Sequence, residues 1–379
     1  MKGIKTTIAA VAALLVAGAA QADPVKVGMI TTLSGGGASL GIDARDGFML
    51  AVKQANNLDL EVVIEDDQRK PDVAVQLADK MIQQEKVDVL TGIIWSNLAM
   101  AVVPSAVAQD KFYLSVNAAP SQLAGKGCNA NYFSVSYQND NLHEAAGGYA
   151  SSAGYENAFI LAPNYPAGKD SLAGFKRFFF GDIAGEVYTK LGQTDYAAEI
   201  AEIRASGADS VFFFLPGGMG IAFMKQYAQS GVDIPLIGPA FSMDQGILGA
   251  VGDAALGVKN TSNWSKDIDN ATNKAFVESF VAEYDRLPSL YASYGFDTAN
   301  LLLSAMGKAN VNDKEAFRDA LRAADFNSVR GKFVFGPNQH PIQDIYVREV
   351  VKEGDVLTNK IVGVALKDHA DAYASECSM

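Results

Sequence analysis

Val25-Lys26-Val27-Gly28-Met29-Ile30, then Leu33-Ser34-Gly35-Gly36-Gly37, then an amphipathic stretch from Asp43 to Ala55, is the segment that decides the fold. A short apolar run closed by glycines reads as a buried strand, and the helical periodicity after it supplies a cover. The unit recurs. Leu60 to Ile64 is extended, and Asp72 to Lys86 places Val73, Leu77, Met81 and Ile82 on one helical face with Asp72 as N-cap. Extended runs follow at Val87 to Ile94, Phe112 to Val116 and Tyr132 to Val135. The rhythm then restarts with strands at Ala158 to Leu161, Glu186 to Thr189, Ser210 to Leu215 and Leu236-Ile237. Helices are expected between them over 167–180, 196–205 and 218–229, with a short turn after Asp244. Later come helices over 273–284, 291–306 and 313–323, and extended runs over 332–335, 345–351 and 356–364. Strand–helix alternation implies parallel sheets covered on both faces. So many strands would make one very wide sheet, so the fold class is α/β with two doubly wound lobes.

The composition sets outer bounds. The chain has 379 residues, 31 Lys+Arg against 43 Asp+Glu, 49% hydrophobic and 20% charged residues. That is the mix of a cored globule, long enough for two domains. A net charge of −12 argues against a nucleic-acid partner, because phosphate binding needs concentrated positive charge. Met1 to Lys5 is a short basic start, Ile8 to Ala20 an apolar run, and Ala20-Gln21-Ala22 a small-x-small cleavage pattern. Residues 1–22 are therefore expected to be a signal peptide cut after Ala22, leaving a soluble periplasmic protein. Losing the leader's two lysines takes the charge from −12 to −14. Cys128 and Cys377 are the only cysteines. Export permits a bond between them, and two buried free thiols are the alternative.

Catalytic and cofactor signatures are missing. The glycines at 35–37 and at 217, 218 and 220 follow strands, but neither run has the GxGxxG or GxxxxGK[ST] spacing. Both read as tight turns that let backbone approach a small ligand. His143, His340 and His369 are scattered without metal-ligand spacing, and no serine sits in a GxSxG elbow. No metal, no cofactor and no catalytic residue is expected, and an exported hydrolase of two lobes is the remote alternative.

Taken in order, several segments resemble the periplasmic solute-binding proteins of ABC importers, in particular the branched-chain amino-acid (leucine/isoleucine/valine) binding family. These are Val25-Lys26-Val27-Gly28 with Leu33-Ser34-Gly35, Glu65-Asp66-Asp67, Val89-Leu90-Thr91-Gly92 leading to Ser96, Ile237-Gly238-Pro239 and Tyr291 to Asp297. The resemblance implies a type I periplasmic binding protein, with lobes joined by three crossovers near 136–139, 262–265 and 339–343. Lobe one would comprise 24–138 plus 264–340, and lobe two 139–263 plus 341–379. It also implies ABC permease subunits as partners and a monomeric carrier.

Ligands of open parallel sheets bind beyond the carboxyl ends of strands. Ser96 opens a helix just after a strand, offering a hydroxyl and backbone N–H groups to an anion. Asn117-Ala118-Ala119 follows the next strand in the same way, and in the family these loops hold the ligand's carboxylate. In amino-acid binders of this type, an acid just after the Gly-Pro corresponding to Gly238-Pro239 holds the ammonium. Here Ala240-Phe241 stand there, and Asp244 is several residues on. Trp95, Tyr165, Phe241, Tyr291 and Tyr294 are instead candidates for an aromatic wall, with Gly217 in the facing loop. Asn117 to Ser121 and Pro216 to Gly220 resemble binders of aromatic carboxylates such as benzoates and phenylpropanoids. An aromatic acid is therefore the expected ligand. A branched-chain or other amino acid, with Asp244 recruited to the ammonium, is the alternative.

Overall fold

A computed structural model describes residues 24–56 and 59–379. The leader expected over 1–22 lies outside the described residues. Five parallel strands, β1 (Val25–Thr31), β2 (Leu60–Asp66), β3 (Val89–Thr91), β4 (Phe112–Ser115) and β5 (Tyr132–Ser134), form the first sheet in the order β2-β1-β3-β4-β5. β1 lies between two neighbours, and Val27, Met29 and Ile30 are buried, as a strand covered on both faces requires. β2, at the edge, is only half-buried.

The second sheet repeats the winding with β6 (Asn157–Pro163), β7 (Asp182–Thr189), β8 (Ser210–Phe213), β9 (Leu236–Pro239) and β10 (Lys259–Ser262), in the order β7-β6-β8-β9-β10. β12 (Pro341–Glu353) adds antiparallel to β10. β11 (Val334–Phe335) and β13 (Val356–His369) pair in turn with β12.

The helices of the first half are α1 (Ala38–Ala55), α2 (Pro71–Lys80), α3 (Ser96–Ala108), α4 (Ser121–Ala124), α5 (Asn141–Ser152) and α6 (Pro166–Phe178). Those of the second half are α7 (Ala197–Ala205), α8 (Gly218–Ser230), α9 (Gln245–Val251), α10 (Ala271–Tyr284), α11 (Leu290–Met306) and α12 (Lys314–Ala323). α1 and α11 pack very closely. A Cβ at Gly47 would sit 1.9 Å from the Ala292 carbonyl oxygen, and one at Gly295 would sit 2.0 Å from that of Ala44.

Three local expectations need correction. α1 begins at Ala38 rather than Asp43, because Gly35–Gly37 forms a single 3-10 turn that runs straight into it. The strand expected over 87–94 pairs only over Val89–Thr91, since Gly92, at φ +104°, turns the chain out of the sheet. The N-cap of α2 is Lys70 rather than Asp72, because Pro71 takes the first helical position and leaves Asp72 within the first turn. The short helical turn expected after Asp244 is α9, with Asp244 as its N-cap, accepting from the Gly246 amide at 3.1 Å.

The connections between the lobes are stitched together. The Ser136 carbonyl accepts from Asn263 Nδ2 at 2.8 Å, Gln343 Nε2 at 3.0 Å and an Arg330 guanidinium N–H at 2.6 Å. Arg330 is itself held by the buried carboxylate of Asp297. Removing one member of such a buried pair costs about 3–5 kcal/mol. Cys128 and Cys377 form a disulfide with a Cα–Cα distance of 5.7 Å, tying the tail beyond β13 to the segment between α4 and β5.

Candidate functional site: a closed cavity between two switch points

Strand order reverses between β1 and β3 in one sheet and between β6 and β8 in the other. Loops leaving those strands diverge on opposite faces, so a crevice opens beyond their carboxyl ends. Here the two crevices meet around a small cavity, about 20 Å³ in this closed form. Ile94, Trp95 and Ser96 enter it from the loop after β3, Asn117 from the loop after β4, and Leu40 from α1. Tyr165 and Ala167 come from the segment after β6, Phe214 and Pro216 from after β8, and Phe241 from after β9. Tyr291 of α11 and Tyr137, on the first connection between the lobes, complete the lining.

The lobes are shut. A Cβ at Gly217, the residue before α8, would sit 2.7 Å from the Gly36 carbonyl oxygen of the first lobe. The two glycine runs therefore face each other across the seam, and a side chain at Gly217 would press on the Gly36 backbone.

The wall is aromatic. The planes of Tyr165 and Phe214 are within 10° of parallel, with ring centroids 6.3 Å apart. Trp95 lies 6.3 Å from Tyr165, and its indole N–H donates to Thr32 Oγ1 at 3.0 Å. That bond fixes the ring as a wall and leaves it no polar contact to offer. Phe241 packs on Tyr137 at 5.0 Å and edge-on against Phe214 at 5.8 Å.

The polar end is sparse. Ser96 Oγ accepts from Asn139 Nδ2 at 3.1 Å, which leaves the serine's own hydrogen free to donate. The first amides of α3 have no intrahelical acceptor, and the helix dipole favours negative charge there. Asn117 donates to the Ile94 carbonyl at 2.7 Å and accepts from the Tyr137 hydroxyl at 2.9 Å, so its amide is largely committed to shaping the wall. No Asp, Glu, Lys, Arg or His is among the residues that line the cavity. Burial holds the phenols of Tyr137, Tyr165 and Tyr291 well above their ordinary pKa, and they stay neutral.

Of the residues singled out from sequence, Trp95, Ser96, Asn117, Tyr165, Phe241 and Tyr291 come together on the cavity. Ala118, Ala119, Gly217 and Tyr294 do not line it. The Ala118 and Ala119 amides are already donated, to the Ile93 carbonyl at 3.4 Å and to Asn139 Oδ1 at 3.1 Å. Gly217 is used at the seam. Tyr294 stands behind Tyr137, 5.6 Å away, with its hydroxyl on Asn263. Asp244 does not line the cavity either. It accepts from the Gly246 amide at 3.1 Å and the Leu290 amide at 3.3 Å. Leu40, Ile94, Tyr137, Ala167, Phe214 and Pro216 were not foreseen. Phe214 lies inside the Ser210 to Leu215 run and Ile94 ends the 87–94 run, so each belongs to an apolar stretch and reads as strand interior.

Comparison with known proteins follows the same lines. Residues 24–355 match the family described as periplasmic binding protein. The Leu/Ile/Val-binding protein homolog 6 of Brucella melitensis biotype 1 is 29% identical over 371 residues, covering 94% of each chain. The crystal structure of an ABC transporter solute-binding protein from R. palustris in complex with benzoate is similar at a TM-score of 0.89 and 32% identity, covering 94% of this chain and 100% of that one. A solute-binding protein from Rhodopseudomonas palustris BisB5, in complex with 3,4-dihydroxybenzoic acid, has a TM-score of 0.83 and 30% identity, covering 91% of this chain and 99% of the other.

Proposed function

This chain belongs to the periplasmic binding protein family, and from that premise we propose that its solute is a small aromatic carboxylate, benzoate or a ring-hydroxylated benzoate. The lobes close on it, and the closed form delivers it to the permease of an ABC importer. The observation that carries this reading is a lining of rings that includes no acidic side chain. An amino acid brings an ammonium into the cavity, and a buried cation without a partner costs several kcal/mol. Micromolar affinity is worth only about 8 kcal/mol in total. A carboxylate, by contrast, meets the Ser96 hydroxyl and the start of α3.

A branched-chain amino acid is the second reading, favoured by the name of the Brucella relative. It requires an acid to enter the cavity, and Asp244 is engaged with backbone amides away from it. The proposal extends to a leader cleaved after Ala22, release into the periplasm as a monomer, and lobes of 24–138 plus 264–340 and of 139–263 plus 341–379. Mass spectrometry of solute released from protein purified without added ligand tests the ligand class. An aromatic acid is expected, and leucine, isoleucine or valine would contradict the reading.

A further inference from the structure

Asp170 lies outside the cavity lining, yet every hydrogen bond its carboxylate accepts comes from beyond its own helix and sheet. It sits on α6 of the second lobe and is 5% exposed. Oδ2 accepts from the Ser121 amide at 3.0 Å and Oδ1 from the Ser121 hydroxyl at 2.7 Å. Ser121 opens α4, between β4 and β5 of the first lobe. Oδ2 also accepts from Asn139 Nδ2 at 2.9 Å, and Asn139 is on the first connection between the lobes. The same Nδ2 reaches Ser96 Oγ at 3.1 Å, while Asn139 Oδ1 receives the Ala119 amide at 3.1 Å. An unbroken path thus runs from the cavity's hydroxyl, through the connection, to an acid that grips the opposite lobe.

We propose that Asp170 is the positioning residue that couples capture of the solute's carboxylate to lobe closure. The inference rests on the reading of Ser96 as the carboxylate anchor. All three hydrogen bonds that reach Asp170 are donated to it, by the Ser121 amide and hydroxyl and by Asn139 Nδ2, so a carboxylate, rich in acceptors, fits them better than an amide. When the Ser96 hydrogen is donated to an anion, Ser96 Oγ becomes a better acceptor for Asn139, because chained hydrogen bonds polarise one another. That fixes Asn139 in the orientation that presents its second hydrogen to Asp170. The Ser121 contacts hold α6 against the first lobe, so their loss should shorten the life of the closed form rather than slow encounter.

Asp170→Asn keeps the shape but sets an NH2 against donors, and Ser121→Ala removes the hydroxyl alone. With benzoate as probe, stopped-flow binding to Asp170→Asn should show dissociation faster by about tenfold or more and association changed by less than about twofold. Adding Ser121→Ala to that variant should cost less than Ser121→Ala costs the wild type, as expected for coupled residues. Unchanged dissociation, or strictly additive losses, would overturn the proposal. If wild type ignores benzoate, the ligand reading fails by itself, and the coupling is read without solute. Spin labels at the exposed Gln54 and Lys225, one in each lobe, report the interlobe distance. A ligand-free Asp170→Asn population more open than wild type supports the coupling, and identical distance distributions refute it.

Discussion

Ser96 brings to the polar end of the cavity a hydroxyl whose hydrogen is free to donate, and its position follows from a simple local rule. A strand ends at Thr91, Gly92 turns the chain, and the next helix starts at Ser96. Hydrogen bonds to charged groups are worth about 1.5–3 kcal/mol, so Ser96→Ala should weaken benzoate binding by roughly tenfold to 150-fold in isothermal titration. Ser96→Thr, which retains the hydroxyl, should recover most of that loss. Residues such as Ser96, Trp95, Tyr165 and Phe241 were legible in the sequence because each directly follows an apolar run. Tyr137 was not. It sits in a connecting segment that reads as linker, and only packing brings its ring to 5.0 Å from Phe241. Ala119 shows the converse limit. Its loop is in the right place, but its amide is used internally by Asn139.

At the scale of elements, strand–helix alternation was enough to give two doubly wound lobes, because period and glycine punctuation are local properties. The antiparallel pairing of β12 with β10, which extends the second sheet, is a long-range choice that alternation does not encode. Nor does a sequence show that two glycine turns will meet. Gly217 has φ +63°, and a Cβ there would lie 2.7 Å from the Gly36 carbonyl oxygen. Gly217→Ala should therefore cost about 1–2 kcal/mol of backbone energy even in the open protein. It should also obstruct closure, weakening benzoate binding at least about tenfold. Small-angle scattering of the variant at saturating benzoate should show less compaction than wild type. Equal compaction would mean that the seam tolerates the methyl.

At the scale of the whole molecule, the seam carries two buried acids, Asp43 on α1 and Asp244 at the cap of α9. Their carboxyl oxygens lie 3.7 and 3.2 Å from the position of a Cβ at Gly246. Burial raises Asp43 to about 6, partly offset by its ion pair with Arg286, while Asp46 beside it pushes it further up. Burial and Asp43 raise Asp244 to about 7 against the opposing pull of Arg348. The closed form therefore holds protons that hydrated carboxyls release at about pH 4. Closure is strongest at low pH and loses stability as pH rises through 6 and 7, by at most about tenfold per pH unit for each proton held. Benzoate affinity should fall between pH 5.5 and 8, and Asp244→Asn should flatten that profile without abolishing binding. Loss of all binding in Asp244→Asn would instead point to an ammonium-holding role. The central claim is that the closed cavity accepts a ring and a negative charge and has nothing for a positive one. Its most direct test is isothermal titration of one protein preparation, freed of solute, with benzoate, 4-hydroxybenzoate and leucine side by side. Micromolar or tighter binding of the aromatic acids with no heat from leucine is the predicted result. Tight leucine binding with none to either aromatic acid would contradict it.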